Sequence, residues 1–287
     1  EAVFHIHEAI LDPGDRVGCP SPGYPPSYRG TLFAEGTPVF YPLRRENGYL
    51  VPVGDLVRGP DLRALWICYP NNPTGRVARD LHLRDVAGWC RARGAILLSD
   101  EAYTEMYFTP EPPRSALCYG KKGTLAFHSL SKRSAMTGWR VGFVAGDASL
   151  VAAFKKLKTN LDSGVPDFVQ EAAIAAWSDE DHVAEMRAEY RARRDVLCAA
   201  LREAGMADCA PEGTLYVWQR LPEGTDDAAF AARLLDPALA IVVTPGSALA
   251  EPLPDGTNPG AGHVRFALVP SRADTERAAE RIRRMRI

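Results

Sequence analysis

The sequence predicts an α/β protein with a mostly parallel central sheet covered by helices on both faces, and a smaller C-terminal α/β unit. Three observations predict it. Short apolar runs alternate with helical patterns over roughly the first 150 residues; long helical stretches take over near Pro166; and apolar runs separated by polar segments return from Thr214 onward. We therefore expect a large unit over 1–165, connecting helices over 166–204 and a small unit over 205–287.

The opening EAVFHIHEAI carries Val3, Ile6 and Ile10 at helical spacing, a helix already under way at Glu1. DPGD at 12–15 turns the chain into RVGCP, and TPVFYPL (37–43) and LRALWICY (62–69) read as further strands. LHLRDVAGWCRARG is a helix that ends at Gly94, AILLS (95–99) a buried strand, and TLAFHSL and WRVGFVAG two more. PDFVQEAAIAAW and HVAEMRAEYRARRDVLCAALREAG are long helices; TLYVWQRL, AIVVTPG and GHVRFALV are strands. SRADTERAAERIRRM closes the chain as a helix started by a capping box at Ser271 and Asp274, and EPLPDGTNPGAG (251–262) is a loop.

With 287 residues, 46% hydrophobic and 24% charged, the chain buries a sizeable core. A formal charge of −2 gives no basic face for nucleic acid or an anionic membrane, so small molecules are the expected partners. Cysteines 19, 68, 90, 118, 198 and 209 stand apart without a C-x-x-C pair or a nearby histidine cluster, which favours reduced core residues over a disulfide or zinc framework. No metal site is expected. No apolar run approaches the roughly 20 residues that span a bilayer, and the acidic opening is unlike a signal peptide. A cytoplasmic protein is the expectation.

Lysine is used sparingly, 6 against 28 arginines, so Lys132 in LAFHSLSKRSAMTGWRVGFVAG (125–146) invites a chemical explanation. Unlike arginine, lysine readily loses its proton and acts as a nucleophile. Three polar clusters end predicted strands: YPNNPTG (69–75), SDEAY (99–103) and SLSK (129–132). In an open parallel sheet, ligands bind outside the carboxyl ends of the strands, where these clusters would converge. Each has a bland reading alone: a surface lysine, a helix start after DE, a turn at NNPTG. Together with Arg140 they supply an amine, a carboxylate, a phenol, an amide, hydroxyls and a guanidinium, the set that pyridoxal phosphate requires.

With Arg265 in GHVRFALV added, the whole chain resembles the fold-type I, class I and II pyridoxal-phosphate aminotransferases. The resemblance implies that Lys132 is the Schiff-base lysine, Asp100 the partner of the pyridine nitrogen, and Tyr103 with Asn72 the donors to the phenolic oxygen. Tyr24 in SPGYPPSY matches the residue that stacks on the ring. Ser129, Ser131 and Arg140 match phosphate ligands, and Arg265 the arginine that clamps the substrate α-carboxylate. Asn72 also borders that substrate position. It further implies a cytoplasmic homodimer, without nucleic acid or membrane, acting on an amino acid and a 2-oxo acid.

At subfamily level, TPGSALAEPLPDGTNPGAGHVRFALV and AAIAAWSDEDHVAEMRAEYR look like succinyldiaminopimelate aminotransferases, whereas KTNLDSGVPDFVQEAA is similar to the LL-diaminopimelate and broader pattern. The expected reaction is transfer between glutamate and N-succinyl-2-amino-6-oxopimelate. Alternatives are another amino-acid aminotransferase (LL-diaminopimelate, aspartate or aromatic type), a C-S β-lyase, the ligand-sensing domain of a transcription regulator, or a catalytically dead truncation. The family's phosphate-binding loop would stand just before Glu1, so an N-terminally incomplete large unit is expected.

Overall fold

The computed structural model describes residues 1–285, leaving 286–287 of the expected small unit outside the described residues. Helix α1 (Ala2–Ile10) enters strand β1 (Arg16–Ser21); α2 (Pro25–Phe33) follows, then β2 (Thr37–Pro42), a short α3 (Val53–Leu56) and β3 (Ala64–Cys68). Helix α4 (Asp80–Arg93) ends where Gly94 adopts the left-handed conformation, φ 66°, that permits a residue without Cβ to turn the chain into β4 (Ile96–Asp100). Strand β5 (Thr124–Ser129), the one-turn α5 (Leu130–Arg133), β6 (Gly142–Gly146) and α6 (Ala148–Leu161) complete the large unit.

The sheet order is β2-β1-β3-β4-β5-β6, all parallel except β6, which lies antiparallel to β5 at the edge. Alternation along β3 explains the two layers: Leu65 and Ile67 face α4 through Leu83, Val86 and Trp89, while Ala64 and Trp66 face α1 through Ile6 and Ile10. Both faces are therefore dry, as a parallel sheet requires, and the carboxyl ends of β3, β4 and β5 lie side by side.

Helices α7 (Asp167–Ser178) and α8 (Asp181–Glu203) lead to β7 (Tyr216–Arg220), α9 (Asp227–Leu234), β8 (Thr244–Pro245), β9 (His263–Ala267) and α10 (Arg272–Arg283). The three strands form an antiparallel sheet ordered β7-β9-β8. Its core joins Leu197 and Leu201 of α8 to Val217, Val264, Phe266 and Ile282. Nearer its start α8 touches the large unit instead, where the Arg187 guanidinium lies 4.1 Å over the Tyr107 ring and donates to Glu105 O at 2.8 Å.

Several elements differ from expectation. Helices α2 and α6 were not visible as patterns. The expected strand over 240–246 shrinks to Thr244–Pro245, because the turn after α9 uses that backbone: Ile241 N donates to Leu234 O at 2.8 Å and Ala240 takes φ 49°. Among the cysteines, Cys118 is exposed and Cys209 half-buried, so the core expectation holds for Cys19, Cys68, Cys90 and Cys198 only. Ser271 does cap α10, accepting from Asp274 N at 3.1 Å. Among the described residues, no helix is long and apolar enough to cross a membrane.

Candidate active site

The segment after β3 is shaped by Asn71, whose Oδ1 accepts from Thr74 N at 3.2 Å and from Thr74 Oγ1 at 2.7 Å, a side-chain-closed turn. That turn presents the buried Asn72 to the space above the sheet. It also docks the small unit: Glu212 accepts from Val77 N at 3.0 Å and pairs with Arg76 at 3.3 Å.

Asp100 ends β4 with its side chain buried and one hydrogen bond, from Ala102 N to Oδ1 at 3.1 Å. Burial pushes its carboxyl up to about 6, the Ala102 N–H acting against that rise. Glu101 adds to the rise, while His128 and Lys132 oppose it. Tyr103, also buried, places its hydroxyl 3.5 Å from that of Tyr216. Burial and then the Tyr216 phenol hold the Tyr103 proton well above the ordinary range.

Strand β5 feeds α5 through Ser129, whose Oγ accepts from Ser131 N at 3.1 Å as helix cap. Lys132 is the third residue of that turn; among the described residues it makes no hydrogen bond or ion pair. Arg140, at φ 53°, donates to Thr137 O at 2.8 Å and reaches Ser131 Oγ at 3.5 Å.

Tyr24 is exposed, with 45% of its surface open, on a loop held to the small unit by Gly23 N to Leu249 O at 3.0 Å and Ser21 Oγ to Glu251 O at 2.7 Å. Burial raises its phenol first, and the Asp100 charge adds to that. The 244–262 segment that receives this loop needs its glycines: a Cβ on Gly260 would stand 2.1 Å from Gly246 O. Only bare backbone allows that approach.

Arg265 sits on β9 between Trp218 of β7 and Thr244 of β8. Its Nη1 donates to Asn72 Oδ1 at 3.0 Å, Nη2 to Thr244 Oγ1 at 3.3 Å, and its guanidinium lies 4.2 Å over the Tyr216 ring. Its buried Nε has no hydrogen-bond partner among the described residues.

All nine residues singled out from the sequence (Tyr24, Asn72, Asp100, Tyr103, Ser129, Ser131, Lys132, Arg140 and Arg265) line one cavity of about 730 Å³. Sequence reasoning missed Tyr216, Thr244 and His128. Tyr216 and Thr244 gain meaning only through contact with Arg265 and Tyr103, and nothing in TLYVW or AIVVTPG sets them apart from ordinary strand residues. His128 stands beside the serine cap of Lys132, a position that could have drawn notice.

The donor set fits pyridoxal phosphate. A buried carboxylate without an ion-pair partner among the described residues suits a pyridinium nitrogen, an amine suits its aldehyde, and Tyr103 with Asn72 suits its phenolic oxygen. Arg265 Nε, buried and without a partner among the described residues, leaves the guanidinium an unused N–H that suits a carboxylate of the second reactant.

A model of the family described as aminotransferase class I and II matches residues 1–282. The LL-diaminopimelate aminotransferase of Aquifex aeolicus is 37% identical over 292 residues, covering 100% of this chain and 73% of its own. That of Nitratidesulfovibrio vulgaris is 39% identical over 291 residues, covering 99% and 73%. Among solved structures, the aromatic aminotransferase from Pyrococcus horikoshii superposes with a TM-score of 0.90 at 30% identity, over 99% of this chain and 76% of that one. A Thermus thermophilus aspartate aminotransferase variant gives 0.89 at 29% identity, over 99% and 73%.

Proposed function

Since this chain belongs to the class I and II aminotransferases, enzymes that depend on pyridoxal 5′-phosphate, we propose that it moves the amino group of LL-diaminopimelate to 2-oxoglutarate, or runs that transfer in reverse. The observation that carries the site assignment is the single cavity onto which Lys132, Asp100 and Arg265 converge from three separate stretches of chain.

In this reading Ser129, Ser131 and Arg140 hold the phosphate, Tyr24 covers the ring, and Tyr103 and Asn72 donate to the phenolic oxygen. The bound cofactor supplies an electron sink for charge left at the substrate α-carbon. Asp100 serves that sink by keeping the ring nitrogen protonated; pairing with that cation restores an ionised carboxylate in a buried position. Lys132 Nζ would carry the proton lost by the substrate α-carbon to the cofactor carbon that comes to bear the amino group. Arg265 grips the α-carboxylate through a planar fork, and its bond to Asn72 fixes the fork's orientation.

The substrate choice is supported by the curated relatives, whose names are LL-diaminopimelate aminotransferase. A second reading, the N-succinylated relative of that substrate, is favoured by the 244–269 segment, whose NPG, AG and VRFALV pattern resembles the succinyl-specific enzymes. A homodimer in the cytoplasm is part of the proposal; Phe33, Trp139, Phe143, Phe168 and Ile174 are large apolar side chains left exposed, as a subunit interface would leave them. Supplying the cofactor and following 2-oxoglutarate-dependent amino transfer from LL-diaminopimelate and from its N-succinyl derivative tests the reading. Preference for the succinyl compound selects the second reading, and turnover of neither overturns both.

A further inference from the structure

Lys132 stands on α5, a single turn of four residues. One helical turn does not hold its own geometry in water, so the position of the amine depends on what α5 is fastened to. The fastening is specific. Leu130, fully buried, packs into Val169 and Ala173 of α7. Arg133, next to Lys132 and only 7% exposed, donates from Nη1 to Ala176 O at 2.7 Å, from Nη2 to Asp179 O at 3.5 Å, and pairs with the Glu180 carboxylate. Ala176 and Asp179 belong to the last turn and cap of α7, where backbone carbonyls lack helical partners and favour a cation.

Ser134 adds a second fastening to the same corner. Its Oγ lies 2.9 Å from His182 Nε2, and His182 Nδ1 lies 2.8 Å from Asp179 Oδ2. His182 is in the first turn of α8, which runs 23 residues to end in the core that carries β9 and Arg265. The Glu180 carboxylate is largely exposed, so its ion pair with Arg133 is solvent-screened and the buried carbonyl bonds carry the restraint.

We propose that Arg133 is a positioning residue: it sets where Lys132 Nζ stands in the cavity by clamping α5 to the α7–α8 corner. Because α8 continues into the unit that bears Arg265, the same clamp keeps the amine in register with the carboxylate fork. The proposal rests on the reading of Lys132 as the cofactor lysine.

The test uses the full chain with added pyridoxal phosphate, comparing wild type with Arg133→Met, Arg133→Lys and Leu201→Ala. The last loosens the small-unit core without touching α5. Two readouts are needed, neither of them turnover: the rate at which borohydride fixes the cofactor to the Lys132 peptide, by mass, and the pH midpoint of the bound cofactor's absorbance. Arg133→Met should slow fixation about tenfold, as small displacements of reacting groups do. It should also move the midpoint by roughly half a pH unit or more. Arg133→Lys, whose point charge reaches fewer carbonyls, should recover part of both; Leu201→Ala should match wild type in both. Wild-type fixation and midpoint in Arg133→Met overturn the proposal, as does an equal loss in Leu201→Ala, which would make the effect general destabilisation. Should Arg133→Met not fold, Arg133→Lys decides alone, an unmoved midpoint overturning it. If wild type itself takes no label on Lys132, the cofactor-lysine reading falls and this one with it.

Discussion

Arg265 and Asn72, 193 positions apart in the chain, meet in one hydrogen bond of 3.0 Å from Nη1 to Oδ1. That contact joins the small unit to the carboxyl edge of the large sheet, with the guanidinium carbon 4.2 Å over the Tyr216 ring. Replacing the fork by a point charge should cost more than the charge alone suggests. Arg265→Lys should weaken amino donors and 2-oxo acids together, by about 2 to 5 kcal/mol or roughly thirtyfold and more in affinity. Cofactor affinity should stay near wild type, because the phosphate is assigned to Arg140. Titrating glutamate against the absorbance of the bound cofactor checks this, and an unchanged glutamate affinity would reduce Arg265 to a structural residue.

Asp100 should destabilise the cofactor-free chain as pH rises. Its folded value near 6 lies above the ordinary carboxylate value of 3.8, so the native state binds the proton more tightly and loses stability between about pH 4 and 6. The loss is on the order of 3 kcal/mol. Asp100→Asn should remove that penalty and make the apoprotein more stable than wild type at pH 7.5. With cofactor present the same change should lower the rate of the glutamate half-reaction by about a hundredfold. Urea unfolding of both proteins without cofactor, and single-turnover absorbance with it, separate the two effects.

His7 should act in the opposite direction through nearly the same window. Fully buried, it lies 2.8 Å from Phe4 O through Nδ1 and accepts from the Trp66 indole at 2.8 Å through Nε2, so the neutral tautomer with Nδ1–H fits both partners. Burial lowers its folded value to about 4, below the ordinary 6.5. The stability this gives is present above pH 6.5 and is lost as pH falls toward 4, again on the order of 3 kcal/mol. In the wild-type apoprotein the two slopes oppose each other. His7→Gln should lower stability at neutral pH and flatten the acid side of the urea-midpoint curve; a curve parallel to wild type would show that His7 is not the group responsible.

Lys132→Ala should leave the far-ultraviolet circular dichroism unchanged, since the side chain makes no hydrogen bond or ion pair among the described residues. Borohydride should then fix no cofactor to the chain, and amino transfer should fall to background. Retention of a cofactor-labelled peptide elsewhere at normal yield would move the covalent role to another lysine.

The sequence by itself determined the layered α/β plan, because burial on both faces of a parallel strand leaves an unbroken apolar run that LRALWICY and AILLS display directly. It also supplied the candidates Lys132, Asp100, Tyr103, Asn72, Arg140 and Arg265, each unremarkable alone and singled out by their order along the chain and the family resemblance which that order carries. Their neighbours were not legible. Tyr216, Thr244 and the Arg133 clamp matter through partners 21 to 113 positions away, and local periodicity carries no information at that range. Helix α2 escaped notice because its buried face is made of Ser27, Gly30 and Thr31, which give no apolar stripe. The strand at 240–246 failed because the end of α9 claimed its backbone, a competition between hydrogen-bond partners that is resolved only when the small unit packs. Tertiary structure alone decided that Asp100 is dry enough for its carboxyl to be pushed up to about 6 and that, among the described residues, Arg265 Nε has no partner, since both depend on which distant surfaces exclude water.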